Sequence, residues 1–168
     1  MMPTSSHSSS GVWPEPVEQV AAYLRAAGAE ARLEEFQHPT RTAEDAAGAV
    51  GCALAQIVKS VVFDCDGEAI VVMVPGDRRA SARKVAAAGG CPRARVAAPE
   101  LVSEATGFAP GAVAPFPLPR VHRVFIDETL LAHETVWIGA GSRNHLAALA
   151  PAELTRLARA RPIDAVEP

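Results

Sequence analysis

Apolar residues at Val17, Val20, Ala21 and Leu24 recur at helical spacing and Gly28 follows as a stop, so the first ordered element is a helix starting near Pro14. The period then shortens to two. Ala31, Leu33 and Glu35 alternate with polar neighbours as a short strand, which ends at His38-Pro39 because a residue preceding proline avoids the helical region. Thr42 is placed to cap a second helix reaching about Gly51, with Glu44 and Asp45 set against its positive end. Residues 57–63 are rich in β-branched and aromatic side chains and read as a strand. Asp66-Gly67 is a hairpin turn into a second arm, 69–74, that Pro75-Gly76 ends. A short helix over 81–88 closes at Gly89-Gly90, Val96 marks a brief strand, and Pro99 opens a helix that stops at Gly107. Residues 121–126 and 135–138 read as further strands, residues 151–158 as the last helix, and the residues after it as ragged. The sum is an α+β fold: one domain over residues 14–165, with a central mixed, mostly antiparallel β-sheet surrounded by helices. Residues 1–13, Ser-rich and without a basic start or apolar segment, read as a disordered lead-in and not a secretory signal.

One residue breaks the pattern. Strand side chains alternate between faces, so Ile57, Lys59, Val61 and Phe63 are expected to project the same way, three of them apolar and one an ammonium. An uncompensated charge there costs several kcal/mol, on the order of other buried ions. Either the strand end opens into a cleft where Lys59 meets an anion, or its side chain reaches water over the sheet rim. Two loops add to this. Residues 107–119 read GFAPGAVAPFPLP, a long stretch fixed by Pro and Gly and interleaved with Phe108 and Phe116, and long loops in a compact domain are usually functional. Gly139-Ala140-Gly141-Ser142 forms a second glycine-rich loop ahead of His145. Such loops can present main-chain N–H groups to an oxyanion. They can equally be plain structure: Gly107 as a helix C-cap, Gly139 and Gly141 as a tight turn, His145 as a surface or helix residue.

Composition and motifs remove most other chemistry. A net charge of −3 argues against a long nonspecific nucleic-acid footprint and leaves room for a partner touched over a few nucleotides, with no DNA partner expected. No apolar run approaches the roughly 20 residues that span a bilayer, so no membrane partner is expected. Three cysteines with no CxxC pair suggest neither a disulfide framework nor a zinc knuckle, and a reducing, cytoplasmic setting is the simplest. The five histidines have no metal-ligand spacing, so no metal and no cofactor are expected. There is no GxSxG elbow and no phosphate-binding GK[ST] loop.

What survives matches a known pattern. Thr42-Ala43-Glu44-Asp45-Ala46-Ala47, Gln56-Ile57-Val58-Lys59-Ser60, Pro75-Gly76-Asp77-Arg78, Thr106 to Val113 with Pro115-Phe116, and Gly139-Ala140-Gly141-Ser142 with His145 follow in that order. The chain thereby resembles the YbaK/ProX family of freestanding aminoacyl-tRNA deacylases, which are similar to the editing domain of bacterial prolyl-tRNA synthetases. The resemblance implies hydrolysis of the ester joining a wrong amino acid to the tRNA terminal adenosine, with a small residue such as Ala or Cys on tRNA for proline as the expected substrate. It also implies the aminoacyl-tRNA acceptor end as partner and an association with prolyl-tRNA synthetase. Lys59 would be the family's essential lysine, engaging the terminal adenosine's phosphate or the aminoacyl ester, and Gly107, Pro110 and Gly111 match the loop whose backbone grips the aminoacyl group. Ile57, Phe108, Gly141, Ser142, His145 and Arg78 are the candidate substrate contacts. Water would attack with help from the substrate, which removes the need for a protein nucleophile. The clusters Arg78, Arg79, Arg83, Lys84 and Arg120, His122, Arg123 could meet the acceptor end or be solvated surface. Ser81 departs from the acidic residue that family members often carry there, which leaves a helix-start role intact and clouds substrate assignment. Two other readings keep the same cleft: a noncatalytic module holding charged tRNA or a synthetase, and a carrier of free amino acid.

Overall fold

The computed structural model describes residues 13–168; the expected lead-in therefore lies almost wholly outside the described residues. Among the described residues five α-helices and eight strands follow in the order α1 (Glu15–Ala26), β1 (Ala31–Glu35), α2 (Ala43–Val50), β2 (Val58–Cys65), β3 (Glu68–Pro75), α3 (Ala82–Gly89), β4 (Ala94–Val96), α4 (Pro99–Thr106), β5 (Arg123–Asp127), β6 (Val136–Gly139), β7 (His145–Leu149), α5 (Pro151–Ala158) and β8 (Arg161–Ile163). The helix ends obey local rules. Thr42 Oγ1 accepts the Asp45 N–H at 3.0 Å, Ser81 Oγ accepts the Lys84 N–H at 3.2 Å, and Gly51, Gly90 and Gly107 take the left-handed conformation at C-caps.

The strands divide into two sheets. The larger has the order β4-β2-β3-β5-β8, antiparallel on the β4-β2-β3 side and parallel from β3 through β8; the smaller is antiparallel, β1-β7-β6. The fold is thus α+β with a five-stranded mixed sheet, and a second sheet joins it through a parallel bridge between Ile57 and Trp137. β3 is buried from Ala69 onward, as a central strand covered on both faces requires. The main core lies between the inner faces of the two sheets: Val58, Val62, Val71, Met73 and Ile126 from one, Leu33, Val136, Ile138 and Ala147 from the other, closed by α1 through Val17, Val20 and Leu24. A second cluster (Phe63, Ile70, Val72, Val74) lies on the opposite face of the large sheet under Val85 and Ala86 of α3. A third small cluster, Ala46, Ile57, Trp137, Leu146 and Ala148, seats α2 on the outer face of the small sheet.

Four expectations need correction. The C-terminal residues are not ragged: β8 pairs with β5, Ala165 and Val166 are buried, and buried Asp127 accepts the Ala165 N–H at 2.8 Å. Lys84 Nζ also donates to Val166 O at 2.7 Å and to Asp164 at 2.8 Å, and this lysine holds the Asp164 carboxyl below its ordinary range. That contact is present at neutral pH and is lost as pH falls through the lowered pKa. His145 is neither surface nor helix; it opens β7 and is buried. Ile57 does not share a face with Phe63, because it precedes β2 and enters the third cluster while Phe63 enters the second. Finally, two of the three cysteines are joined, Cys65 to Cys91, and only Cys52 is free. α3 brings the chain back to the end of β2, a closure over 26 residues of separation that no short spacing motif reveals.

Candidate active site

β4 pairs only with Phe63, Asp64 and Cys65 of β2, so the Val58 end of β2 has no partner from β4 on that edge. The small sheet meets the chain just beyond, at Ile57 and Trp137, and a cavity of about 200 Å³ opens where the sheets part. Its floor is apolar, from Ala46, Ile57, Trp137 and Leu146; its rim carries Thr40, Thr42, Lys59, Ser60, Ser142 and Arg143, with Gly111 to Val113 of the proline-rich loop across the mouth. Lys59 is half-buried, and its ammonium donates to the Arg78 carbonyl at 2.7 Å. One of its three N–H groups is used for positioning, and the other two remain for an acceptor. Val62 O accepts the Ala97 N–H at 2.9 Å, which fixes the edge direction of β2; Ser60, two residues away, turns its N–H the same way. The cavity can therefore offer an ammonium and a main-chain donor to an oxyanion above an apolar floor.

The turn between β6 and β7 is held from both sides. Asn144 O accepts the Phe36 N–H at 2.7 Å and Asn144 Nδ2 donates to Phe36 O at 3.1 Å, and Arg143 O accepts both the Thr40 N–H at 2.7 Å and its hydroxyl at 3.0 Å. Ser142 Oγ accepts the Asn144 N–H at 3.0 Å and lies 2.6 Å from His145 Nδ1, while Glu35 lies 3.8 Å from the other ring nitrogen. Gly141 has φ +106°, and a Cβ there would fall 2.8 Å from the Pro16 carbonyl, so this glycine lets the turn lie against the start of α1. Cys52 is no substitute nucleophile, since burial pushes its thiol above the ordinary value and keeps it protonated.

Of the residues expected from the sequence, the structure gathers Ile57, Lys59, Gly111 and Ser142 in one cavity. Others lie elsewhere. Gly107 is the exposed C-cap of α4, Phe108 is a core residue at 2% exposure, Pro110 is exposed at the loop tip, and Gly141 and His145 sit behind the turn. Arg78 reaches the site through its carbonyl, its guanidinium being donated to Glu167 O at 2.7 Å. The basic clusters are largely engaged: Arg79 lies near Glu167, Lys84 holds Asp164, Arg123 holds Glu68, and Arg120 donates to Glu104 O. Arg143, Thr40 and Trp137 were not singled out from the sequence, and each owes its place to packing between distant segments. A second depression, about 520 Å³, is bordered by Glu30, Glu134 and Glu153 with Arg32, a charge balance poorly suited to a phosphate-bearing ligand. No group of three or more metal-ligating side chains occurs among the described residues, and no helix among them is long and apolar enough to cross a membrane.

Residues 37–157 match the aminoacyl-tRNA editing domain, and the chain belongs to that family. It is 35% identical over 124 residues to an uncharacterised protein, YwhH, of Bacillus subtilis (strain 168), covering 73% of this chain and 78% of that one. It is 32% identical over 112 residues to the proline–tRNA ligase of Maridesulfovibrio salexigens; this covers 66% of the present chain and only 19% of the ligase. A crystal structure described as a candidate trans-editing enzyme for prolyl tRNA synthetase superposes with a TM-score of 0.86 at 35% identity, over 94% of this chain and all of the other.

Proposed function

We propose that the protein hydrolyses the ester of mischarged aminoacyl-tRNA, acting in trans on tRNA for proline that carries a small wrong amino acid such as alanine or cysteine. The observation that carries this reading is the half-buried Lys59 ammonium on the rim of a small apolar-floored cavity. About 200 Å³ lies below the ~300–1,000 Å³ of sites for drug-sized ligands, which favours a small side chain. Editing answers a real need, because one methylene is worth only about 1–3 kcal/mol to a synthetase pocket. The wrong side chain would enter the apolar floor, and the ester carbonyl would face Lys59 and the Ser60 N–H. Water attacks, the tetrahedral oxyanion is stabilised by those donors, and the tRNA hydroxyl leaves. Release of labelled amino acid from a panel of mischarged tRNAs tests this; turnover of small wrong residues on tRNA for proline is expected. If no member of the panel is hydrolysed above background, the enzyme reading fails.

The 2.6 Å contact of Ser142 with His145 favours a second reading, acyl transfer to the serine. Ser142→Ala separates the two. Direct attack by water predicts measurable turnover without a burst, whereas a covalent route predicts complete loss. Because Ser142 Oγ also accepts the Asn144 N–H, its contacts are those of a residue holding the turn, and retained turnover is the expected result.

A further inference from the structure

We infer that Arg143 binds the phosphate 5′ to the terminal adenosine of the charged tRNA, a positioning contact beside Lys59 that rests on the deacylase reading above. Its backbone is fixed before any ligand arrives, by the double clasp of Thr40 on its carbonyl and by the Asn144–Phe36 pair on its C-terminal side. Its guanidinium packs on Gly111: a Cβ at that position would fall 2.5 Å from Nη2, and φ there is +85°, so glycine both makes the loop turn and leaves room for the fork. Six other arginines lie 2.6–3.9 Å from a carboxylate. Arg143 is exposed, lines the cavity, and has no carboxylate partner among the described residues. A guanidinium without a carboxylate partner, carried on a backbone held in place at the mouth of a site, selects an anion.

The substrate chemistry then narrows the choice. Lys59 and the Ser60 N–H already face the ester carbonyl in the reading above, and neither adenine nor the ribose is charged. The anion nearest the ester is the phosphate across one ribose, and the planar fork of arginine matches it with two parallel hydrogen bonds. Gly111 thereby acquires a role apart from main-chain donation. It seats the arginine that sets how far the acceptor end enters.

The test uses the full chain and two small esters of the same wrong amino acid, one on adenosine and one on adenosine 5′-monophosphate. The unmodified protein should cleave the phosphorylated ester with kcat/KM higher by about 10- to 100-fold, the worth of hydrogen bonds to a charged group. Arg143→Gln should erase that preference through KM, with kcat nearly constant, and should lower kcat/KM on the adenosine ester by a clearly smaller factor than on the phosphorylated one. Arg143→Lys should restore part of it. The proposal is overturned if Arg143→Gln loses the same factor on both esters, or if the phosphate preference is absent or survives the substitution. If neither ester nor charged tRNA is cleaved, the deacylase reading fails separately, and calorimetric binding of 5′-AMP against adenosine decides the phosphate contact. Tighter 5′-AMP binding that Arg143→Gln abolishes supports it; equal binding of both overturns it.

Discussion

Lys59→Ala is expected to lower kcat/KM on mischarged tRNA by about 100- to 1,000-fold, the usual cost of removing one preorganised donor from an oxyanion site. The reasoning starts from where the ammonium is held. Its hydrogen bond to Arg78 O sets its position without neutralising it, so the charge is available to the developing oxyanion at no cost in reorganisation. The apolar floor of Ile57, Trp137 and Leu146 keeps water off one side and strengthens the interaction. Stability should change little. Lys59 is only half-buried, and losing this one hydrogen bond costs about 1 kcal/mol. Single-turnover deacylation and a urea unfolding midpoint, measured on the same preparation, separate the two effects. A variant that loses activity only in proportion to folded protein would remove Lys59 from the chemistry. One that binds charged tRNA less tightly, in a protein without turnover, would favour the noncatalytic module.

What could be read from the sequence was local. The Thr42 cap, the Asp66-Gly67 hairpin and the Pro99 start depend on residues within a few positions, and each forms as expected. Pairing between distant segments was not legible. His145 to Leu149 is alanine-rich and gives no alternation, yet it is the central strand of the small sheet and is buried throughout. Pro162 argues against a strand, but β8 is an edge strand, where a missing N–H is tolerated. The division into two sheets, which creates the cavity, likewise has no signature in any short window. At the site, Lys59 was visible because a lysine among β-branched residues is locally anomalous. An arginine in a polar turn is not, and Arg143 gains meaning only once Gly111 and Thr40 are brought against it.

Breaking the Cys65–Cys91 link, by reduction or by paired Cys65→Ser and Cys91→Ser replacement, is expected to cost about 3 kcal/mol of stability. The estimate follows from loop closure. A separation of 26 residues is a moderate loop, and the cross-link removes its open conformations from the unfolded chain. For a domain of this size the melting temperature should fall by roughly 6–12 °C. Catalysis should respond differently. Lys59 and Cys65 lie six residues apart on β2, about 20 Å along an extended strand, and the bridge ties α3 and β4 at the end away from the cavity. Below the lowered melting point kcat/KM should therefore stay within about twofold, since well-separated sites contribute independently. A scanning calorimetry trace with and without reductant, paired with a deacylation assay at 25 °C, checks both halves. An unchanged melting temperature would mean that the bridge does not form in solution. A fall in activity with the fold intact would show that the far end of β2 transmits strain to Lys59, contrary to a site carried by the rigid parting of two sheets.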